Sequence, residues 1–231
     1  MSLAILEIGY KQVKKLLKES NLLLEENYSK NLNFSSSKFS SDFFEVCQGN
    51  NYREIHEIAL INKDYDFLLK DYSFLQFSGD FNSSEDVYRY AYYEVPTIFP
   101  SYEEYLASND LSYDECGDLF RQDYEQVADE GKLNNAVMPI RYDYDIKYYN
   151  PPNHSISHFH FGFRNQIRLP VNKLVTPHAF VSFIIRHIYW EKWKNLIKDP
   201  NFHPTYYVKS TCRKLDSTKF SSHEEKDFYL T

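Results

Sequence analysis

The sequence predicts an α+β fold: an antiparallel, curved β-sheet with an N-terminal helix and a long apolar C-terminal helix packed on it. Three observations carry this expectation. Two groups of short segments, 52–95 and 138–171, are rich in aromatic and β-branched residues, and several alternate apolar with polar side chains, the period of a half-buried strand. The first two dozen residues instead repeat apolar side chains at helical spacing. Finally, Thr176-Pro177 opens a stretch that is apolar nearly all round, as a helix buried against a sheet must be.

From Ala4 to about Asn27, Ile5, Ile8, Val13, Leu16, Leu17 and Leu23 form the apolar stripe, and Lys11, Lys14, Lys15 and Lys18 fall between them. Ser29–Asp42 is rich in Ser and Asn and reads as a loop anchored by Phe34 and Phe39. Tyr52–Ile61, Tyr65–Leu69 and Phe74–Phe77 read as strands of a meander, turned at Asn62-Lys63-Asp64 and at Lys70-Asp71. Val87–Val95 continues the meander with Tyr88, Tyr90 and Tyr92 on one face, and Pro96 and Pro100 end it. The acidic stretch 101–130 predicts two short helices, about Tyr102–Ala107 and Tyr113–Asp129. Strands follow at Met138–Ile146, Ser155–Phe163 and Gln166–Val171, separated by a turn at Pro151-Pro152 and a connection at Arg164-Asn165. The apolar helix then runs from Pro177 to about Ile197. Residues 1–198 are expected to form a single domain and 199–231 a loosely structured tail.

Composition narrows the function. Hydrophobic residues make up 42% and aromatics 18%, enough to build a core rather than a disordered chain. Only six glycines are present and no phosphate-loop motif occurs, which argues against a nucleotide-binding doubly wound sheet. Cys47, Cys116 and Cys212 are far apart and read as reduced thiols. The longest apolar run, Ala179–Trp190, is interrupted by Arg186 and His187 and is shorter than the ~18 to 20 residues of a membrane span. No signal-peptide pattern opens the chain. A cytoplasmic protein without a membrane partner is the expectation.

The net charge of −7 is unevenly spread. Residues 1–137 hold 12 Lys/Arg against 25 Asp/Glu, and residues 138–231 hold 14 against 8. The two parts form either two solvated surfaces or a basic part that meets a polyanion or the acidic part of its own fold.

Strand alternation then collects one constellation. Ile140, Tyr142, Tyr144 and Ile146 share a face opposite Arg141, Asp143 and Asp145. Phe159, Phe161 and Phe163 oppose His158, His160 and Gly162, and Ile167, Leu169 and Val171 oppose Gln166 and Arg168. If the apolar faces share a core, the other face gathers Arg141, Asp143, Asp145, His158, His160 and Arg168, with His154 and Arg164 at its edges, and leaves this face open to solvent.

That set supports three readings. His158 and His160, with Asp143 and Asp145, suit a divalent metal. Alternatively, a His pair supplies acid and base while Arg141, Arg164 or Arg168 steadies a phosphorane-like charge, with Asp143 beside them. Cross-strand Arg–Asp pairing without chemistry is the third. His56, His178, His187, His203 and His223 point less clearly to a site, and His187 on the apolar helix reads as a core histidine. Tyr88, Tyr90 and Tyr92 could stack bases, but tyrosine is also simply a good strand residue.

Ile140-Arg141-Tyr142-Asp143-Tyr144, His154-x-x-x-His158-x-His160-x-Gly162, Arg168-Leu169-Pro170, and Thr176-Pro177 with Phe180, Phe183-Ile184 and Tyr189 together resemble a bacterial family, domain of unknown function 2290. The family more often has Pro near the place of Ser155. The resemblance implies a bacterial protein without an established activity, and it gives weight to the His/Arg strands. A phosphoester-acting site, on nucleic acid as one partner, is the preferred expectation. A non-catalytic module that binds another protein or a small ligand is the alternative.

Overall fold

The computed structural model describes residues 3–28, 34–80, 87–133, 136–164, 167–199, 202 and 211–231. Helix α1 (Leu3–Glu19) buries Leu6, Tyr10, Val13, Leu16 and Leu17 along one face. It ends well before Asn27, because Asn21 takes a left-handed backbone, φ 56. The Leu22 and Asn21 amides then donate back to the Leu17 and Lys18 carbonyls, a closure that Asn tolerates better than most residues. The chain continues as edge strand β1 (Leu23–Glu26). The described part of the segment read as a loop holds a 3₁₀ turn at Ser36–Lys38 and the start of α2 (Ser41–Val46), with Phe34 and Phe39 buried.

Residues 52–61, expected as a strand, are a helix, α3 (Tyr52–Ile61). Its buried residues Tyr52, Ile55, His56 and Ala59 follow a period of three to four, not two. Asn51 caps its start by accepting from the Glu54 amide. At its end Lys63 is left-handed, φ 50, and the Asp64 and Lys63 amides donate to the Ala59 and Leu60 carbonyls. The residues read as a hairpin turn are thus a helix C-terminus.

Strands β2 (Phe67–Leu69), β3 (Phe74–Asp80) and β4 (Val87–Tyr93) follow. An acidic excursion begins at β5 (Thr97–Ile98) and returns at β6 (Lys132–Leu133), and these two strands pair to close it. Between them lie α4 (Tyr102–Ser108), α5 (Tyr113–Cys116) and α6 (Arg121–Asp129), where one helix was expected over 113–129. Gly117, φ 52, separates the last two, a conformation glycine adopts without penalty. Tyr102, Leu106, Tyr124 and Ala128 give this excursion a small core of its own.

The chain then adds β7 (Ile140–Asp145), β8 (Ser157–Phe161), β9 (Ile167–Pro170) and β10 (Lys173–Leu174). The main sheet has seven strands in the order β1-β2-β3-β4-β7-β8-β9, every neighbour antiparallel, and it is not closed. Tyr88, Tyr90, Tyr92, Tyr142, Tyr144 and Phe159 line the face that packs under α1 and helix α7 (Pro177–His187). The tyrosine ladder is therefore core, and no base can stack on it. On the opposite face, α2 and α3 cover the β2–β3 end through Phe43, Ile55, Ala59, Leu68 and Phe74, and reach as far as Tyr93 on β4 and Phe163.

Thr176 caps α7 and Pro177 occupies its first turn, as the sequence indicates. The expected long apolar helix is nevertheless two helices, α7 and α8 (Trp190–Leu196). At the break, Tyr189 donates through its hydroxyl to Asp71 Oδ2 at 2.7 Å and lies 3.0 Å from the Tyr92 hydroxyl. The change of direction lets both Ile184 and Trp193 be buried. His187, read as a core residue, is exposed. Helices α1 and α7 approach closely at Gly9, where a Cβ would sit 2.9 Å from Pro177 Cδ. Of the segment from 199 onward, β11 (Arg213–Lys214) pairs with β10, Cys212, Leu215 and Phe220 lie in the main core, and Leu230 bridges Val171. His203 lies outside the described residues. No helix among the described residues is long and apolar enough to cross a membrane.

Tyr142 ties the sheet to α7. Its hydroxyl accepts from the Val175 amide at 3.0 Å and lies 2.9 Å from Ser157 Oγ. Tyr142→Phe leaves a buried amide without its acceptor, so urea unfolding should show a loss of ~1–3 kcal/mol. An unchanged midpoint would show that the link carries no stability.

Candidate functional site

The cross-strand register assembles the polar cluster. Asp143 stands between Arg89 on β4 and His158 on β8, and Arg141 stands between Ala91 on β4 and His160 on β8. His160 in turn faces Arg168 on β9. Side chains at these positions share the face opposite the tyrosines, as alternation requires. They surround a recess of about 150 Å³, bordered also by Asp145 and Tyr148.

The face does not leave the histidines open to solvent. His158 and His160 are each 2% exposed and Asp143 is 6% exposed. His154 and Ser155 of the 147–156 connection pack against His158, and Tyr148 and His154 border the recess.

A buried carboxylate needs partners, and Asp143 has three. Arg89 Nε donates to Oδ1 at 3.0 Å, and Arg141 Nε spans both oxygens at 3.1 and 3.0 Å. Arg141 Nη2 reaches Oδ2 at 2.9 Å, and His160 Nε2 lies 3.3 Å from the same oxygen. Burial favours the neutral acid, but the His160 hydrogen bond and the two guanidinium charges outweigh it and hold the carboxyl well below the usual range.

The histidines form a chain. His158 Nδ1 lies 2.8 Å from the Ser155 carbonyl, which only accepts, so Nδ1 carries the proton. Burial lowers the His158 pKa to about 4, so the ring is neutral near pH 7 and presents its Nε2 lone pair. That lone pair faces His160 Nε2 at 3.0 Å, which must therefore donate. The His160 proton thus lies between an imidazole and a carboxylate. His160 Nδ1 is buried and has no hydrogen-bond partner among the described residues. The His154 ring packs edge-on to His158, 4.9 Å between centroids, and burial together with Arg168 lowers its pKa.

Arg168 is exposed at the rim and pairs with no acid among the described residues. Asp145 lies on the same face one pleat further along and accepts from the Lys147 amide. It is not among the atoms that converge: those are one oxygen of Asp143 and one nitrogen each of His158 and His160, all within 4.8 Å of one another. Arg164 is exposed and stands apart from the recess. The residue missed in the sequence is Arg89. Its signal was present, because alternation in Val87–Tyr93 puts Arg89 opposite the tyrosines, beside Asp143 once β4 and β7 pair.

The buried imidazoles set a pH dependence. Burial lowers His56, His158 and His178 from 6.5 to about 4 in the fold. Between those values the unfolded chain binds more protons. Their contribution is therefore whole above about pH 6.5 and is lost as pH falls toward 4. Asp143 is lowered too, but from 3.8, so its contribution persists above that ordinary value and fades only at lower pH. The urea midpoint should drop clearly from pH 7.5 to pH 4.5, and His158→Gln should shrink that drop. An equal drop in both proteins would mean that His158 is not held neutral.

The family profile described as an uncharacterized conserved protein, DUF2290, matches residues 16–230. No curated protein and no solved structure matches the chain. The profile spans the sheet, the histidine chain and every arginine around Asp143, and on that coverage the chain belongs to the DUF2290 family of uncharacterized conserved proteins.

Proposed function

We propose that the recess binds a phosphoester-type anion and that the His158–His160 couple moves a proton during its cleavage. The observation that carries this reading is the charge around the recess. Arg89, Arg141 and Arg168 line it together with Asp143 and Asp145, and burial keeps His158 neutral near pH 7. The surplus is positive, and the uncompensated guanidinium is the one at the rim. Guanidinium groups favour phosphate oxygens through paired, charge-assisted hydrogen bonds. In hydrolysis, a water oxygen bonds to phosphorus as the ester P–O bond breaks. The water's proton goes to the imidazole couple and a proton returns to the leaving oxygen. Asp143 orients His160 and stabilises it when protonated, and the arginines hold the charge that builds on the non-bridging oxygens.

Arg168 gives the cleanest test, since it is exposed and outside the ion-pair network. Arg168→Ala should leave stability within ~0.5 kcal/mol while weakening binding of inorganic phosphate by about tenfold, read by calorimetry. His160→Gln should slow cleavage of RNA, DNA or a nitrophenyl phosphodiester by roughly 10²- to 10⁴-fold. A wild-type protein that cleaves none of these, with or without divalent metal, would end the catalytic part of the proposal. Phosphate binding indifferent to Arg168 would end the anion part.

One observation favours a second reading, a metal centre. Two ligand atoms bonded to one ion at ~2.1 Å stand roughly 3.0–3.4 Å apart at octahedral or tetrahedral angles, close to the 3.0 and 3.3 Å separations at His160 Nε2. The Ser155 carbonyl also fixes His158 as ligating histidines are fixed. Against it, an ion there would sit beside two guanidinium groups and compete with them for Asp143. If the metal reading holds, zinc or manganese raises the melting temperature of wild type and not of His158→Gln. An identical response from both proteins excludes the site.

A further inference from the structure

We infer that the anion recess continues into a ring-binding subsite, so that one ligand, a phosphorylated aromatic heterocycle of the nucleotide class, occupies both. This rests on the anion reading above and adds the identity of what the anion is attached to. A second recess, of about 100 Å³, adjoins the first, and Arg141 borders both. Its walls are the rings of Tyr52, Tyr93 and Phe163, and its floor includes Ala91 and Gly162.

The register sets the two side by side. Along the polar face, β4 presents Arg89, Ala91 and Tyr93, while β8 presents His158 and His160 and ends one residue before Gly162. Side chains on one face recur every ~7 Å along a strand, so the charged row gives way to the aromatic row within a distance that a ribose spans. The floor stays low because its residues are small. At Gly162, φ +82, an added Cβ would meet nothing within 4 Å. The walls are fixed before any ligand arrives: Tyr93 stacks on Phe74 at 4.7 Å, Phe163 meets Tyr52 edge-on at 5.4 Å, and the Tyr52 hydroxyl donates to the Glu94 carbonyl at 2.6 Å. Three aromatic rings around so small a volume suit a planar heterocycle, which gains stacking with any of them. The space is too small for a peptide segment.

Calorimetry with adenosine monophosphate, ribose 5-phosphate, inorganic phosphate and adenosine reads both halves separately. The monophosphate is expected to bind at least about tenfold tighter than ribose 5-phosphate, the gain of one stacked base, and ribose 5-phosphate about as tightly as phosphate. Ala91→Leu fills the floor and should abolish the tenfold advantage while leaving phosphate affinity within about twofold. If that variant does not fold, the wild-type series decides alone. Equal affinity for the monophosphate and ribose 5-phosphate overturns the ring subsite and leaves the anion site standing. Adenosine binding as tightly as its monophosphate overturns the joint ligand. No binding of any phosphate overturns both this inference and the anion reading on which it rests.

Discussion

The structure depends on the register of four strands, β4, β7, β8 and β9. On one face that register lines up Tyr90, Tyr142 and Phe159, which are buried beneath α7. On the other it lines up Ala91, Arg141, His160 and Arg168, and beside them Arg89, Asp143 and His158. A slip of one residue in β4 or β7 would place an arginine under α7 and a tyrosine in the recess, because side chains alternate strictly. The apolar face thus holds the geometry of the polar one. Aromatic pairs across the strands, such as Tyr90 on Tyr142 at 5.4 Å, make the slip more costly still.

The polar face is closed by charge rather than by packing. Asp143 can be buried because two guanidinium groups and an imidazole use its lone pairs. Removing one arginine would leave a buried charge short of a partner, which is far more destabilising than losing an exposed ion pair. The same arrangement prepares the recess for an anion. The arginines are already oriented by Asp143, so little ordering remains when a ligand arrives. A second buried carboxylate, Asp66, works the same way at the far end of the sheet. It accepts from Lys38 Nζ at 2.7 Å and from the Phe77 amide at 2.7 Å, tying the segment before α2 to β3.

The acidic excursion between β4 and β7 stands apart from this network. It carries its own small core and returns to the sheet through the β5–β6 pair. Its helices are fixed by local devices, such as the capping box in which Ser101 and Glu104 exchange hydrogen bonds. The sheet neighbours β4 and β7 pair directly despite the 46 residues between Tyr93 and Ile140, so the excursion adds surface without interrupting the register.

Aromatic enrichment marked the strand at 74–77, and alternation determined those within 87–95 and 138–171, with the face shared by Arg141, Asp143, His158, His160 and Arg168, because period two is a property of the extended backbone. Thr176-Pro177 likewise determined the start of α7. The tertiary structure decided what sequence spacing does not encode. Residues 52–61 mix aromatic, β-branched and polar side chains in a way that suits either period, and the caps at Asn51 and Lys63 with packing on β2–β3 chose the helix. The apolar run after Pro177 carries no signal for a break, which depends on Tyr189 meeting Asp71, 118 positions away. Arg89 joined the site only when β4 paired with β7. Burial of His158 followed from His154 and Ser155 of the connection packing against it, since exposure is set by what packs on a strand and not by the strand itself.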